Sequence, residues 1–494
     1  MNASPSSFRP PGALPIAPLR TYAGPWNARL AAHLLRRAGF GGTPADVQRD
    51  AGRTMHDAVA SLVNFPSTAG LPATPALPDE SSVDVQLIER LMAARATAIA
   101  GDPELKELQM QRRRLEREGI VATQLWWLDR MIATPAPLQE KMTFFWHGHF
   151  TTAAIQKGVT PTEIIAQNAL FREFALGDAR ELTQRISVDP AMLKYLDNRL
   201  NEAAHPNENF ARELMELYTL GIGNFTENDV RESARGWTGY RIRPRTDEVW
   251  IAPRLHDDGS KSFLGHTGNF GGREIVNIIF GQPATATFLA TKLLRFFVYD
   301  DPEPELVASV AGLLRSNDYH LQPVMATLLA SNVFYSDRAY RALVKSPVEF
   351  VVGSYQLFGV PQADKGALAA LRRMNQVLFN PPNVKGWPGG SSWINTSTVL
   401  ARENFANALM TTNNVMGPAN WLLQGGPSDP NSAARHMTAT ILQNDVSPAA
   451  LARLAAYLGG SESSADGALS GENFEQRMRG GAYLTMAMPA YQLA

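Results

Sequence analysis

The chain has 494 residues, and its 46 Lys and Arg against 47 Asp and Glu leave a net charge of −1, which excludes the concentrated basic surface that nucleic acids and anionic membranes require. Hydrophobic residues at 45% and charged residues at 19% are the composition of a soluble globular protein with ample material for a large core. The absence of cysteine excludes disulfides, thiolate metal ligands and a cysteine nucleophile.

In chain order, residues 1–26 are rich in Pro and Ser and lack a basic segment followed by an apolar one. They are expected to form a flexible arm rather than a signal peptide. Helical periodicity then predicts helices over 27–38, 44–64, 83–99, 104–118, 120–133, 137–147, 161–176 and 178–186. Pro103, Pro137 and Pro161 sit in first-turn positions, where a missing N–H costs nothing. Residues 207–240 read as a helix, a glycine break and a second helix. Strand-like alternation is confined to 238–270, where TGYRIRPRTDEVWIAP predicts a hairpin and a glycine-rich stretch follows. Helices resume at 283–299, 303–315, 320–331, 345–358 and 363–375. A Trp/Asn-rich loop follows at 379–397, then helices at 398–412, 431–443, 447–458 and 474–487. The 459–471 segment is the best candidate for disorder. No window is long and apolar enough to span a bilayer. The expectation is a mainly α protein, with residues 27–494 forming one large helical domain that carries a small hairpin insertion.

The densest chemistry lies in NENFARELMELYTLGIGNFTENDVRESARGWTGY, residues 207–240. On a helical wheel Phe210, Leu214, Leu217 and Gly221 form the buried stripe, and Asn209, Glu213, Glu216 and Leu220 run beside it. Carboxylates at the edge of a core must be paired, protonated or bound to a cation. One reading pairs Glu213 and Glu216 with Arg231 and Arg235 as an internal ion network; the other makes them catalytic or metal-binding. Asp229 stands in a Thr-x-x-Asp helix start, so capping competes with catalysis there.

A second cluster is Trp146-His147-Gly148-His149-Phe150. Histidines two residues apart lie about 200° apart on a helix, but they share a face if the helix ends at Gly148. Together with Glu213 and Glu216 they would make a His/His/Glu/Glu set suited to Zn, Mn or Fe. Packing, a metal-free acid/base role and axial ligation of haem are the other readings. HDDGSK at 256–261 reads as a tight turn, bracketed by His256 and His266. Asn380, Asn383, Lys385, Trp387, Trp393 and Asn395 combine flat aromatics with amides, as sugar-binding surfaces do, and Trp237, Tyr240 and Trp250 are candidates for a second wall. There is no phosphate loop, G-x-S-x-G elbow, H-E-x-x-H or dinucleotide fingerprint.

The 207–240 stretch, HLLRRAGFGGTPADV at 33–47, MTFFWHGHF at 142–150, HDDGSKSFLG at 256–265, PATATFLATKLLRFFV at 283–298, LFNPPNVKGWPGGSSWINTSTVLARENF at 378–405 and MAMPAYQLA at 486–494 together resemble a large bacterial family catalogued as domain of unknown function 1800. Gly148 departs from the family pattern, which has Asn there, and so lacks a hydrogen-bonding side chain beside the histidines. The resemblance implies the fold but no reaction. It also implies a neighbour, since members are often encoded beside an exported alkaline-phosphatase-like family, domain of unknown function 1501. The leading expectation is therefore a hydrolase of a polar polymer or glycoside-like substrate. Its catalytic residues would be Glu213, Glu216, His147, His149 and Asp229, with or without a divalent metal on His147, His149, Glu213 and Glu216. Its substrate would be held by Asn209, Trp237, His256, Asn380, Asn383, Lys385, Trp387 and Trp393. The competing expectation is a non-catalytic partner or maturation factor for an exported sulfatase- or phosphatase-like protein. A cytoplasmic location is expected from the missing signal, with co-transport to the periplasm as the alternative.

Overall fold

The computed structural model describes residues 19–65, 71–77, 90–91, 93–94, 103–154, 156–243, 246–411, 429–460 and 474–494. Within them the protein is mainly α, with only two small antiparallel two-stranded sheets. One contiguous core runs from Leu30 in the first helix to Tyr491 near the C-terminus. Most of the 83–99 helix and of the 459–471 loop, and residues 1–18 of the arm, lie outside the described residues. The end of the arm is pinned to the domain, because the Tyr22 amide donates to the Ala330 carbonyl at 2.8 Å.

Helix starts follow local chemistry. Thr43 with Asp46, Thr160 with Glu163, Thr226 with Asp229 and Ser346 with Glu349 form reciprocal capping boxes that satisfy orphan amides. The expected 44–64 helix is broken into Pro44–Ala51 and Met55–Val63, because Gly52 caps the first and Thr54 restarts the second. Conversely, 104–118 and 120–133 fuse into one helix, Pro103–Ala133. Gly119 is helical within it, and its carbonyl accepts the Thr123 hydroxyl at 2.8 Å. Short helices at Pro190–Tyr195 and Gly272–Gly281 escaped the periodicity reading.

The predicted hairpin is present as β1 (Tyr240–Ile242) paired with β2 (Val249–Ile251), with Tyr240 opposite Ile251. The glycine-rich stretch adds a second one, β3 (Lys261–Phe263) and β4 (His266–Gly268), turning through Leu264 and Gly265, both at positive φ.

Glu140 knits the first half of the molecule together. Its carboxylate, fully buried, accepts from Arg130 Nε at 2.7 Å, Arg172 Nε at 2.6 Å and Trp127 Nε1 at 3.0 Å. Three helices, Pro103–Ala133, Pro137–His149 and Pro161–Glu173, thus meet on one carboxylate. Burial pushes this carboxyl up, but Arg172 and Arg130 outweigh that and hold it below the ordinary range.

Candidate functional site

The HGH segment does not leave the helix. Pro137–His149 continues through Gly148, and only then does Phe150 close it by donating its amide to the Trp146 carbonyl at 2.8 Å. Aromatic packing on both sides is enough to keep the last turn helical. The two imidazoles therefore stay on different faces. His147 is 1% exposed, accepts the Phe379 amide on Nε2 at 3.2 Å, and meets Trp127, Phe379 and Trp387 at ring distances of 5.1–5.5 Å. Accepting on Nε2 leaves its proton on Nδ1. His149 makes the opposite choice, donating Nε2–H to the Tyr218 carbonyl at 2.9 Å and leaving Nδ1 buried without a partner. Burial pulls both rings down to about 3, aided at His149 by the Lys292 charge, so both are neutral.

The acidic pair sits on another surface. Helix Asn209–Glu213 widens into a π turn over Leu214–Thr219, and the extra residue shifts the wheel. Leu214, Met215, Tyr218 and Thr219 are buried, while Glu213, Glu216 and Leu217 are left half-buried. Neither glutamate is ion-paired among the described residues, which removes the internal-network reading: Arg235 is held by Glu232 and Asp257, and Arg231 forms no ion pair among the described residues. Burial, then the neighbouring Glu216, raises the Glu213 carboxyl, with Lys385 pulling the other way. Among the described residues no three His, Asp or Glu side chains form a set that could hold a metal ion. The expected ligand set of His147, His149, Glu213 and Glu216 is thus corrected: the continuous helix separates the donors.

Several other candidates prove structural. Asp229 accepts from the amides of Thr226 and Leu264, both at 2.8 Å, capping Glu227–Gly236 and pinning the second hairpin. Those hydrogen bonds outweigh burial and keep it below the ordinary carboxylate range. Asn209 donates to the Leu196 carbonyl at 3.1 Å. Trp237 is buried against Phe210, with Tyr240 tilted beside it, so neither is a wall open to substrate. Trp250 is exposed, with Arg243 stacked on it at 5.4 Å. His256 bonds the Thr238 carbonyl at 2.8 Å.

The 379–397 loop is the element that links the two clusters. Asn383 accepts the Lys385 amide at 2.9 Å in a local turn, Asn380 accepts from Gln156 at 3.3 Å, and Asn395 caps Thr396–Thr411 by accepting the Thr398 amide at 3.0 Å. Gly386, at φ +79°, lies so close over Gly148 that a Cβ there would stand 2.8 Å from its carbonyl oxygen. Lys385 is thereby delivered to the acidic face, and Trp387 to the other side of the loop.

On that other side is a cavity of about 320 Å³, at the small end for ligand pockets. Phe145, Phe296, Trp387 and Trp393 give it aromatic walls; His149, Lys292, Arg295, Asp300 and Glu349 give it polar ones. A Cβ built on Gly148 meets nothing within 4 Å, so the missing side chain leaves space on this wall. Burial lowers the Lys292 ammonium, which has no ion pair among the described residues. The sequence reading passed over Lys292, Arg295, Asp300 and Glu349. A signal was present: Phe288, Lys292 and Arg295 follow i, i+4, i+7 along the edge of an otherwise apolar helix, as the acidic stripe does.

The comparisons with known proteins agree with the sequence motifs. A family model described as "Protein of unknown function (DUF1800)" matches residues 33–493. No curated protein and no solved structure gives a match. Nearly the whole chain is covered, from the first helix to the last residue but one, and the protein therefore belongs to this family of unknown function.

Proposed function

We propose that the protein is a hydrolase of an acidic, saccharide-like polymer, one unit of which sits in the cavity while the cut is made beside Glu213. The observation that carries this reading is the cavity lining, which sets Trp387 and Trp393 beside Lys292 and Arg295. Flat aromatics suit the apolar faces of sugar rings, and paired cations suit a ring carboxylate. No helix among the described residues is long and apolar enough to cross a membrane.

The chemistry rests with the carboxylates. Glu213, half-buried, raised and without an ion pair among the described residues, is suited to donate a proton to a leaving oxygen as a general acid. Glu216, one turn further on, is the second carboxylate and would orient the attacking water. Lys385 approaches Glu213 from the loop that carries Trp387 two residues later, so a polymer crossing the loop would reach both. His147 and His149 position this loop and the π turn rather than transfer protons, because both are buried and neutral.

Glu213→Gln is expected to lower cleavage of uronate-containing polysaccharides at least a hundredfold, while retention of the polymer in affinity electrophoresis stays unchanged. Wild-type protein that neither retains nor cleaves such polymers would end the reading. A second reading, a docking partner for an exported sulfatase- or phosphatase-like protein, draws on Ile394, Val399 and Leu400, exposed beside the same loop. A wild type inert towards every polymer, yet bound stoichiometrically by such a protein, would favour it.

A further inference from the structure

A second, smaller cavity lies between the first helix, Ala28–Ala38, and helix Pro347–Leu357 with the Lys345 segment that leads into it. It measures about 40 Å³ and is lined by Arg36, Gly41, Gly42, Lys345, Gln443 and Tyr491, among others. One water needs roughly 10–15 Å³ by this kind of measure, so a small polyatomic ion fits. Two cations face it, and each is 7% exposed. Arg36 donates Nη1 to Gln443 and lies 5.7 Å from the Tyr340 ring, but its Nε and Nη2 are buried and make no hydrogen bond among the described residues. Lys345 has no ion pair among the described residues; its ammonium stands 4.0 Å above the Tyr491 ring.

The surrounding charge is lopsided. Asp445 is taken by Arg341, Arg29 and Tyr340, and Glu349 by Lys141. Arg402, also buried, donates to the Lys345 carbonyl at 2.7 Å and to Gln492 at 3.2 Å. Arg37 turns to the carbonyls of Phe297 and Val298. Burial, with Arg36, Arg341 and Arg402 nearby, pulls the Lys345 ammonium well down against the opposing attraction of Glu349. The other polar groups on the wall are occupied. The Gly42 amide donates to Gln356, the Thr43 amide to Asp46, the Thr440 hydroxyl to the His436 carbonyl, and Tyr491 shares a hydrogen bond with Ser354. The free donors are a guanidinium edge and an ammonium. That combination fits two oxygens of one anion on the fork and a third on the point charge.

We propose that this cavity binds a free tetrahedral oxyanion, phosphate or sulfate, between Arg36 and Lys345. The anion would act as a counterion and tie the first helix to the 343–346 segment, and so to the C-terminal residues that pair with it. Thermal unfolding of the full chain in millimolar phosphate or sulfate, against chloride of equal ionic strength, is the test. The melting temperature is expected to rise by several degrees with either oxyanion. Lys345→Met should weaken binding at least tenfold, yet melt no lower than wild type in chloride, because an unpaired buried charge has been removed. A crystal grown in selenate should carry one anomalous peak between Arg36 and Lys345. An unchanged melting temperature, a selenate peak elsewhere, or a response to phosphate monoesters but not to inorganic phosphate would each overturn the proposal.

Discussion

Glu140→Ala is expected to destabilise the protein by about 3–5 kcal/mol, the cost of leaving buried charges without their partner. The carboxylate is fully buried and accepts from Arg130, Arg172 and Trp127 at 2.6–3.0 Å, while the two arginines are themselves largely sequestered. Removing it strands two guanidinium groups where three helices converge. Glu208→Ala provides the contrast, since its partner Arg212 is a third exposed and keeps Glu227. That surface change should cost about 0–1 kcal/mol. Urea unfolding of both variants decides the matter, and equal midpoints would show that the Glu140 junction carries no special weight.

The second large effect is acid instability. His147 and His149 ionise in the folded protein only at about 3, against an ordinary value of 6.5. His33, buried and beside Arg37 and Arg36, is shifted in the same direction. In each case the folded-state value lies below the unfolded one, so the unfolded chain takes up protons first as pH falls. The stability is fully present above pH 6.5 and is lost between about 6.5 and 3. His147 and His149 each contribute a slope of about 1.4 kcal/mol per pH unit across that window. The substitutions His147→Gln and His149→Gln together preserve one acceptor and one donor, and remove both titrations. Unfolding free energy measured from pH 7.5 to 4.5 should fall steeply for wild type and markedly less for the double variant. Parallel curves would contradict the neutral, buried assignment.

Much of the fold was legible because the sequence announces it with local chemistry. Thr226 with Asp229 and the prolines in first-turn positions marked helix starts that the structure keeps, and alternation located β1 and β2. The failures have physical causes. Gly148 suggested a helix end, but glycine permits termination without enforcing it, and aromatic packing carried the helix on to His149. The π turn at Leu214–Thr219 moved Leu217 out of the stripe that a 3.6-residue period gave it, a shift no wheel can anticipate. Glu213 was singled out correctly as a carboxylate at the core's edge, whereas Arg235, one of its two supposed partners, had nearer acids to bind. The cavity was illegible for a different reason. Lys292, Glu349 and Trp387 are brought together only by the closure of the 379–397 loop over Gly148 through Gly386.

The proposed function requires that cavity to hold an acidic sugar unit against Trp387. Calorimetric titration of wild type and Trp387→Ala with a short oligouronide tests it most directly. Saturable binding at one site, weakened about tenfold by the substitution through the loss of ring stacking, is the expected result. Absence of binding to the wild type, or identical isotherms for the two proteins, would contradict it.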